Sequence, residues 1–397
     1  MKNLQSAICN LQSRMLFAAL SLVLISSSQA GQDEAIKALA EKLKQGDGAS
    51  GVALVKYGAA AVPALIKVLE DSSPFARGHA AHALGRIGPK AEKAVPELAK
   101  TMMRDGKLMG TEAVPASEAA IALGKIGQAS VPALIEALKN DSDHIRGLAA
   151  GALKEIGPAK GAVPALIEAL KKSKGPATVD RLLIIDALGR MGPAAKEAVP
   201  VLLEARTKEG KTTPADISVV VALGNIGPEA KDAVPWLSEL MKKKETEVGP
   251  LRMHALEALG KMGSGAKSAL PGILAMLRET SGPPRLLVLE VLAGIGSADK
   301  DSIPALAEGM RDKDALVRVY SAAIMGKMDK NNLAVVSVLI ESLKEKDPKI
   351  RILAAKTMGD VRPSDEAVIE ALNNAANDSD ENVQKAVKEA LSKFKKK

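Results

Sequence analysis

Cysteine is almost missing from this sequence of 397 residues, in which Cys9 is the single example. Cys9 lies in an N-terminal segment that we expect to be removed, so the mature chain would contain no cysteine. This excludes a disulfide framework, a thiolate metal site, covalently attached haem and a cysteine nucleophile. Stability must then come from the packing of apolar side chains.

Aromatic residues are scarce too, at 2% of the sequence, although 47% of the residues are hydrophobic. We therefore expect an interior of Ala, Leu, Val and Ile. Such small side chains allow helices to pack closely.

The motifs of common catalytic sites are also missing from the sequence. It contains no Gly-rich phosphate loop between a strand and a helix, no H-E-x-x-H and no G-x-S-x-G. His79 and His82 are three residues apart on one predicted helix, but a metal site normally needs three or four ligands. We predict no enzymatic activity, no metal and no cofactor.

The chain has only a modest excess of positive charge, with a formal net charge of +8, of which Lys2 and Arg14 contribute two units. Without aromatic stacking platforms, this excess argues against nucleic acid as a partner. Weak attraction to anionic envelope surfaces is compatible with it.

Residues 1–30 have the pattern of a secretory signal peptide. Lys2 and Arg14 precede an apolar run from Met15 to Ile25, and small residues then end at Ala30, a suitable cleavage point. The apolar run is too short for a transmembrane helix. We expect an exported protein, periplasmic or secreted; an N-terminal anchor that stays attached is the alternative.

The remainder, residues 31–397, is a series of repeats. Each copy ends at what we call its stop position, and successive stop positions are 30–39 residues apart. They are Gly58, Gly88, Gly127, Gly157, Gly192, Gly227, Gly263 and Gly296, followed by Asp329, Arg362 and Lys395. A fixed repeat of this length is typical of a solenoid.

Each copy predicts two helices, which we call helix A and helix B. Helix A opens with Val-Pro, as at Val131-Pro132, because proline is tolerated in a first helical turn. Helix B follows a turn rich in Asp, Ser and Pro and ends in A-L-G-x-I-G, as at Ala222–Gly227. We expect the final glycine to take a positive φ. The inner glycine costs about 1 kcal/mol relative to alanine in a helix, so we interpret it as a point of close approach between helices.

The combination of A-V-P-A-L-I-E-A-L with x-R-x-x-A-x-x-A-L-G-x-I-G resembles the short HEAT-like repeat, which is also similar to the repeats of phycobilin lyases. The resemblance implies an all-α, right-handed α-solenoid of about eleven stacked antiparallel helical pairs, ending in a short basic tail. The motif is informative about the fold and nearly silent about activity.

An arginine recurs eleven residues before the stop position in seven copies. In HEAT-like proteins the equivalent residue holds a neighbouring turn through Asp and carbonyl groups, and we favour this role over that of a ligand-binding row. The seven are Arg77, Arg146, Arg181, Arg252, Arg285, Arg318 and Arg351.

Polar residues that interrupt helix B are the candidate partner-binding residues, because helix B lines the concave surface of such arrays. We select His82, Arg86, Asp186, Arg190, Glu257, Lys261 and Glu290, and add Trp236 as the single tryptophan. Asp186 with Arg190, and Glu257 with Lys261, are spaced to pair along one helix.

These features predict an exported, non-catalytic scaffold that binds a protein or peptide through its helix-B surface. Two alternatives are an enzyme or chromophore-handling protein resembling the phycobilin lyases, and a structural assembly element of the cell envelope.

Overall fold

A computed structural model describes residues 29–107, 114–173, 178–207, 213–243, 250–279, 283–295, 303–363 and 366–395. The described residues form α-helices and short 3-10 helices joined by turns, with no strand among them. The chain forms two compact units that divide between Ala187 and Leu188. The predicted signal peptide lies largely outside the described residues. Within the described part of the chain, no helix is long and apolar enough to cross a membrane.

Unit 1 alternates the two predicted kinds of helix. They are α1 (29–44), α2 (Gly48–Val55), α3 (Val62–Leu69), α4 (Pro74–Ile87), α5 (Val95–Asp105), α6 (Val114–Ile126), α7 (Val131–Ala137), α8 (Asp143–Ile156), α9 (Ala162–Lys172) and the start of α10 (Val179–Arg190). Helices B pack on helices B (α2 on α4, α4 on α6, α6 on α8), and helices A pack on helices A (α3 on α5, α5 on α7, α7 on α9). Each repeat therefore contacts its sequence neighbour through both of its helices.

Unit 2 follows the same scheme. Its helices after α10 are α11 (Val199–Ala205), α12 (Pro214–Ile226), α13 (Val234–Lys242), α14 (Leu251–Met262), α15 (Leu270–Glu279), α16 (Pro283–Ile295), α17 (Ile303–Gly309), α18 (Ala315–Met328), α19 (Leu333–Ser342), α20 (Pro348–Val361), α21 (Glu366–Ala375) and α22 (Glu381–Lys395). The even-numbered helices B again stack in order, α12 to α22. The fold is an all-α solenoid of stacked helical pairs, as predicted.

The predicted helix ends are confirmed. Pro132 occupies the first turn of α7, and Ser142 caps α8 by accepting a hydrogen bond from the backbone N–H of Ile145. Gly157 ends α8 with φ 81°, a conformation that a side chain disfavours. Among the degenerate stop positions, Arg362 also takes a positive φ, 49°, whereas Asp329 ends α18 with φ −141°.

The inner glycines lie where neighbouring helices B nearly touch. A Cβ added at residue 85 would lie 3.0 Å from Cα of Ala122 on the next helix B, and one at residue 189 would lie 2.7 Å from Cα of Ala222. Carbon atoms normally stay about 3.5–4.0 Å apart. The glycine is therefore retained for close approach despite its poor helix propensity.

The arginine row has the predicted structural role. The guanidinium of Arg77 donates to the backbone carbonyls of Asp71 and Ser72 in its own turn, at 2.9 and 2.7 Å. It also donates two bonds to the carboxylate of Asp105, at the end of the next helix A. Arg285, Arg318 and Arg351 likewise form ion pairs with an acidic residue of the following repeat. Arg146 instead bonds to its own turn and to Asp143 on its own helix.

The last copy has a glutamine in place of the arginine. Arg351 of the preceding copy binds two carbonyls and the carboxylate of Asp378, at 2.7 and 2.8 Å. In the last copy Gln384 holds the equivalent position and donates to the backbone carbonyl of Asp378 at 2.7 Å. Gln384 thus holds its own turn through one carbonyl bond, as Arg351 does through two.

Candidate partner-binding surface

The exposed side of each helix B carries most of the predicted binding residues. Residues thirteen, nine, six and two positions before the stop position lie on one side of the helix, since they are separated by three or four residues. In α4 these are Phe75, His79, His82 and Arg86, all exposed or half-buried. We call this set of positions, in each unit separately, the helix-B face.

In unit 1, the predicted residues lie on this face and bond across helices. Nδ1 of His82 on α4 is 3.1 Å from the Glu118 carboxylate on α6. The Lys154 ammonium on α8 donates to the carboxylate of Asp186 on α10 at 2.8 Å. Arg86 is exposed at the end of α4.

Unit 2 also uses cross-helix bonds. The Lys261 ammonium on α14 donates to the side-chain oxygen of Asn225 on α12 at 2.9 Å, and the hydroxyl of Tyr320 on α18 donates to Glu290 on α16 at 3.2 Å. Burial of the Tyr320 phenol and the nearby Glu290 charge raise the pKa of Tyr320. Glu257 lies 3.6 Å from the ring of His254 on its own helix.

The predicted pairing along single helices is therefore wrong. Asp186 pairs with Lys154 instead of Arg190, and Lys261 bonds to Asn225 instead of Glu257. The inner glycines bring neighbouring helices B so close that a side chain on the next helix competes with one a turn away on the same helix.

Trp236 lies on the other kind of helix. It belongs to α13, a helix A, and is half-buried. The guanidinium carbon of Arg206 is 5.3 Å from the centre of its ring, a cation–π contact. Trp236 is thus apart from the helix-B face that carries the other candidates.

A pocket on the helix-B face of unit 1 was not predicted. It has a volume of about 500 Å³ and lies among α2, α4 and α6. We call it the apolar pocket; its lining residues are Val52, Pro74, Phe75, Gly78, His79, His82, Val114 and Glu118. Val52, Phe75 and Val114 are 48%, 47% and 49% exposed, so three large apolar side chains surround it without being covered.

Packing within the wall fixes the shape of the pocket. The rings of Phe75 and His79 have centroids 4.2 Å apart at an angle of 51°. The His79 ring also lies against Gly48, where an added Cβ would be 2.8 Å from Cε1 of the histidine. The contact between His82 and Glu118 closes one side.

The sequence does contain a signal for this pocket. Phe75 is one of three phenylalanines in the chain, and it occupies a position of helix B that faces outward. Val52 and Ile121 occupy the outward position where other copies have Asp186, Glu257 or Glu290. The predicted binding residues on helix B were all polar, so they did not include these apolar side chains.

His79 and His82 both contribute to the pocket wall. Within the described ranges, no three His, Cys, Asp or Glu side chains are placed to hold a metal ion. The chemistry available at the pocket is therefore apolar contact, hydrogen bonding by two imidazoles and one carboxylate, and the charges of its surroundings.

Comparison with known proteins decides the family. The sequence profile of HEAT repeats matches residues 16–108, 111–180 and 336–397, more than half of the chain. The chain belongs to the HEAT-repeat family. No curated protein sequence matches this HEAT-repeat chain significantly.

Solved structures with the same fold include karyopherins. The Kap95:Nup1 complex has a TM-score of 0.54 at 15% identity, over 84% of this chain and 50% of that chain. The karyopherin Kap121p bound to the extreme C-terminus of the protein phosphatase Cdc14p has a TM-score of 0.52 at 12% identity, over 91% of this chain and 50% of that chain. This chain thus spans about half the length of these karyopherins.

A homology model of the full-length AP-3 complex in an intermediate open conformation is also similar, with a TM-score of 0.55 at 14% identity over 88% of this chain and 72% of that chain. At these identities the likeness shows the fold alone.

Proposed function

We propose that this HEAT-repeat protein is an exported, non-catalytic scaffold that binds a protein or peptide through its helix-B face. The observation that carries the proposal is the apolar pocket, because three exposed large apolar side chains around one cavity are typical of an interaction site. Among the other described repeats, the same face carries polar cross-helix pairs, such as Lys154 with Asp186 and Lys261 with Asn225.

The similar structures support this proposal at the level of the fold. Kap121p is bound to the extreme C-terminus of a protein phosphatase, and Kap95 is in complex with Nup1. A stack of helical pairs offers a long, continuous surface that suits such partners. Two imidazoles and one paired carboxylate around an open cavity do not form a nucleophile–base arrangement, which favours binding over catalysis.

Site-specific photo-crosslinking tests the binding face. A benzophenone amino acid replaces Ile121, on the helix-B face and 48% exposed, or Glu136, whose side chain on helix A α7 is 67% exposed. Each variant is irradiated in the cells that produce the protein. We expect one or a few discrete adducts from position 121 and a diffuse background from position 136. Equal adduct patterns at both positions would refute the assignment of the face.

Export rests on the N-terminal pattern of a charged start, an apolar run and small residues. N-terminal sequencing of the purified native protein tests it. We expect the mature chain to begin at Gly31. A chain that retains Met1 and stays in the cytoplasm would contradict export and leave the binding proposal intact.

A further inference from the structure

We propose that the apolar pocket receives one large apolar side chain from an acidic, extended segment of a partner protein. This inference rests on the proposed function and specifies the chemistry of the partner. It follows from the shape of the pocket, from the charges near it and from the distance between the pocket and those charges.

The apolar part of the site has room for a large side chain. The volume of about 500 Å³ falls within the ordinary range of ligand pockets, and a Trp, Phe or Leu side chain from a partner would contact Val52, Phe75 and Val114 together. The Phe75 and His79 rings are held against each other, so the wall is formed before binding. A preformed wall favours a rigid aromatic anchor over a flexible polar one.

The charged residues near the pocket determine the sign of the charge that the partner segment should carry. Lys56, Arg86 and Lys125 lie at the C-terminal ends of α2, α4 and α6, one to two helical turns beyond the residues that line the pocket, and all three are exposed. In the described part of the chain, none of them has a carboxylate partner. Glu118 is the one acidic residue on these three helices, and His82 already bonds to it.

The helix dipole does not account for these cations by itself. Cations near a helix C-terminus are favourable by about 0.3–1 kcal/mol, yet α8 has Glu155 at the equivalent position and α12 has Asn225. Arg190 and Lys261 are also cations at this position, but each stands alone, whereas the three near the pocket lie on three successive helices B and give this surface a local positive charge. The complement is a segment with several Asp or Glu residues.

The geometry sets the spacing within that segment. From His79, in the pocket wall, to Arg86 is seven residues along α4, or about 10 Å of helix axis. From Phe75 to Arg86 is eleven residues, or about 16 Å. An extended chain advances about 3.3 Å per residue, so the acidic residues should lie about three to five residues from the apolar anchor.

Fluorescence anisotropy with defined peptides tests this proposal on the full chain. The probe is a labelled ten-residue peptide with one Trp followed, after two Ser, by four Glu. Matched peptides replace the Trp by Ser, the four Glu by four Lys, or place the four Glu directly beside the Trp. We expect the probe to bind at least about tenfold more tightly than the Ser and Lys peptides, and more tightly than the peptide with adjacent charges.

Protein variants then locate the peptide. We expect Phe75→Ala and Arg86→Glu each to weaken binding by about tenfold. The matched controls are Val179→Ala, at the same repeat position as Phe75 and 73% exposed, and Lys67→Glu on helix A α3; both should bind as the parent does. Circular dichroism confirms that each variant keeps its helical content.

Several outcomes would overturn the proposal. If the Glu and Lys peptides bind equally, the surface does not select an acidic segment. If a folded Phe75→Ala variant binds as the parent does, the apolar pocket does not receive the anchor. Tighter binding to a single-stranded oligonucleotide or to anionic vesicles would assign the surface to another class of partner. A dimer that Phe75→Ala dissociates would assign it to a second copy of the chain. If crosslinking at position 121 gives discrete adducts but the peptides do not bind, the proposed scaffold function is supported and the proposal of an acidic segment is refuted.

Discussion

Replacing an inner glycine by alanine should reveal how closely the helices B are stacked. In a helix with room for the methyl group, this substitution stabilises by about 1 kcal/mol. Gly151, a helix-B glycine outside the inner position, has such room, since the nearest atoms to an added Cβ are the Leu183 methyls at 3.7 Å. At Gly85 the added Cβ would lie 3.0 Å from Cα and 3.2 Å from Cβ of Ala122. Overpacking of this kind costs about 1–3 kcal/mol.

The two substitutions should therefore act in opposite directions. Gly151→Ala should raise the free energy of unfolding by about 1 kcal/mol. Gly85→Ala should lower it by up to about 2 kcal/mol, which is the cost of overpacking less the gain in helix propensity. Both residues lie in unit 1, so each serves as the control for the other. Gly189→Ala in unit 2, with its Cα neighbour at 2.7 Å, should be at least as destabilising as Gly85→Ala.

Urea unfolding gives the change in global stability, and native-state hydrogen exchange gives the local change. We expect faster exchange in α4 and α6 of Gly85→Ala and slower exchange in α8 of Gly151→Ala. If both variants are stabilised by the same amount, α4 and α6 do not approach closely. The account of direct stacking between helices B would then be wrong.

Two further predictions concern the ends of the repeats. Arg362→Gly should stabilise unit 2 by about 1 kcal/mol because it relieves a left-handed residue. Gly157→Ala should destabilise unit 1 by about 1–3 kcal/mol, although nothing lies within 4 Å of an added Cβ, because its backbone conformation is one that glycine alone adopts readily. Urea unfolding measures both. Arg351→Gln should destabilise at neutral pH by removing the ion pair to Asp378 while keeping a carbonyl bond, as Gln384 does in the last copy. The hydrogen bonds from Arg351 lower the pKa of Asp378 in the folded chain. The difference in stability between the parent and Arg351→Gln should therefore be complete above about pH 4 and disappear as the pH falls through the lowered pKa. A difference that stays constant down to pH 2 would contradict the role of the ion pair.

Much of the fold could be predicted because the repeat signals are local. Val-Pro and the stop glycine each act within one turn of helix, and their regular spacing gives the register of the array. The role of Arg77 could be predicted because its partners are its own turn and the next one. The close approach at Gly85 could be inferred because glycine is otherwise unfavourable inside a helix.

The site was less predictable because it depends on distances between helices. The sequence places Arg190 one turn from Asp186, but it does not show that Lys154 on the preceding helix B lies 2.8 Å away. Likewise, Phe75 and Val114 are 39 residues apart and meet at one pocket because α4 and α6 are neighbours. The exposure of such side chains follows from packing, which the pattern of a single helix does not specify.

The labelling rate of single cysteines tests most directly whether a partner occupies the helix-B face. In a background with Cys9→Ser the chain has no other cysteine, so Ile121→Cys and Glu136→Cys each report one position. Maleimide labelling is measured for the purified protein and in the cells that produce it. We predict that labelling at position 121 slows by about tenfold or more in cells, whereas position 136 reacts equally in both settings. The same ratio at both positions would contradict the claim that partners bind this face.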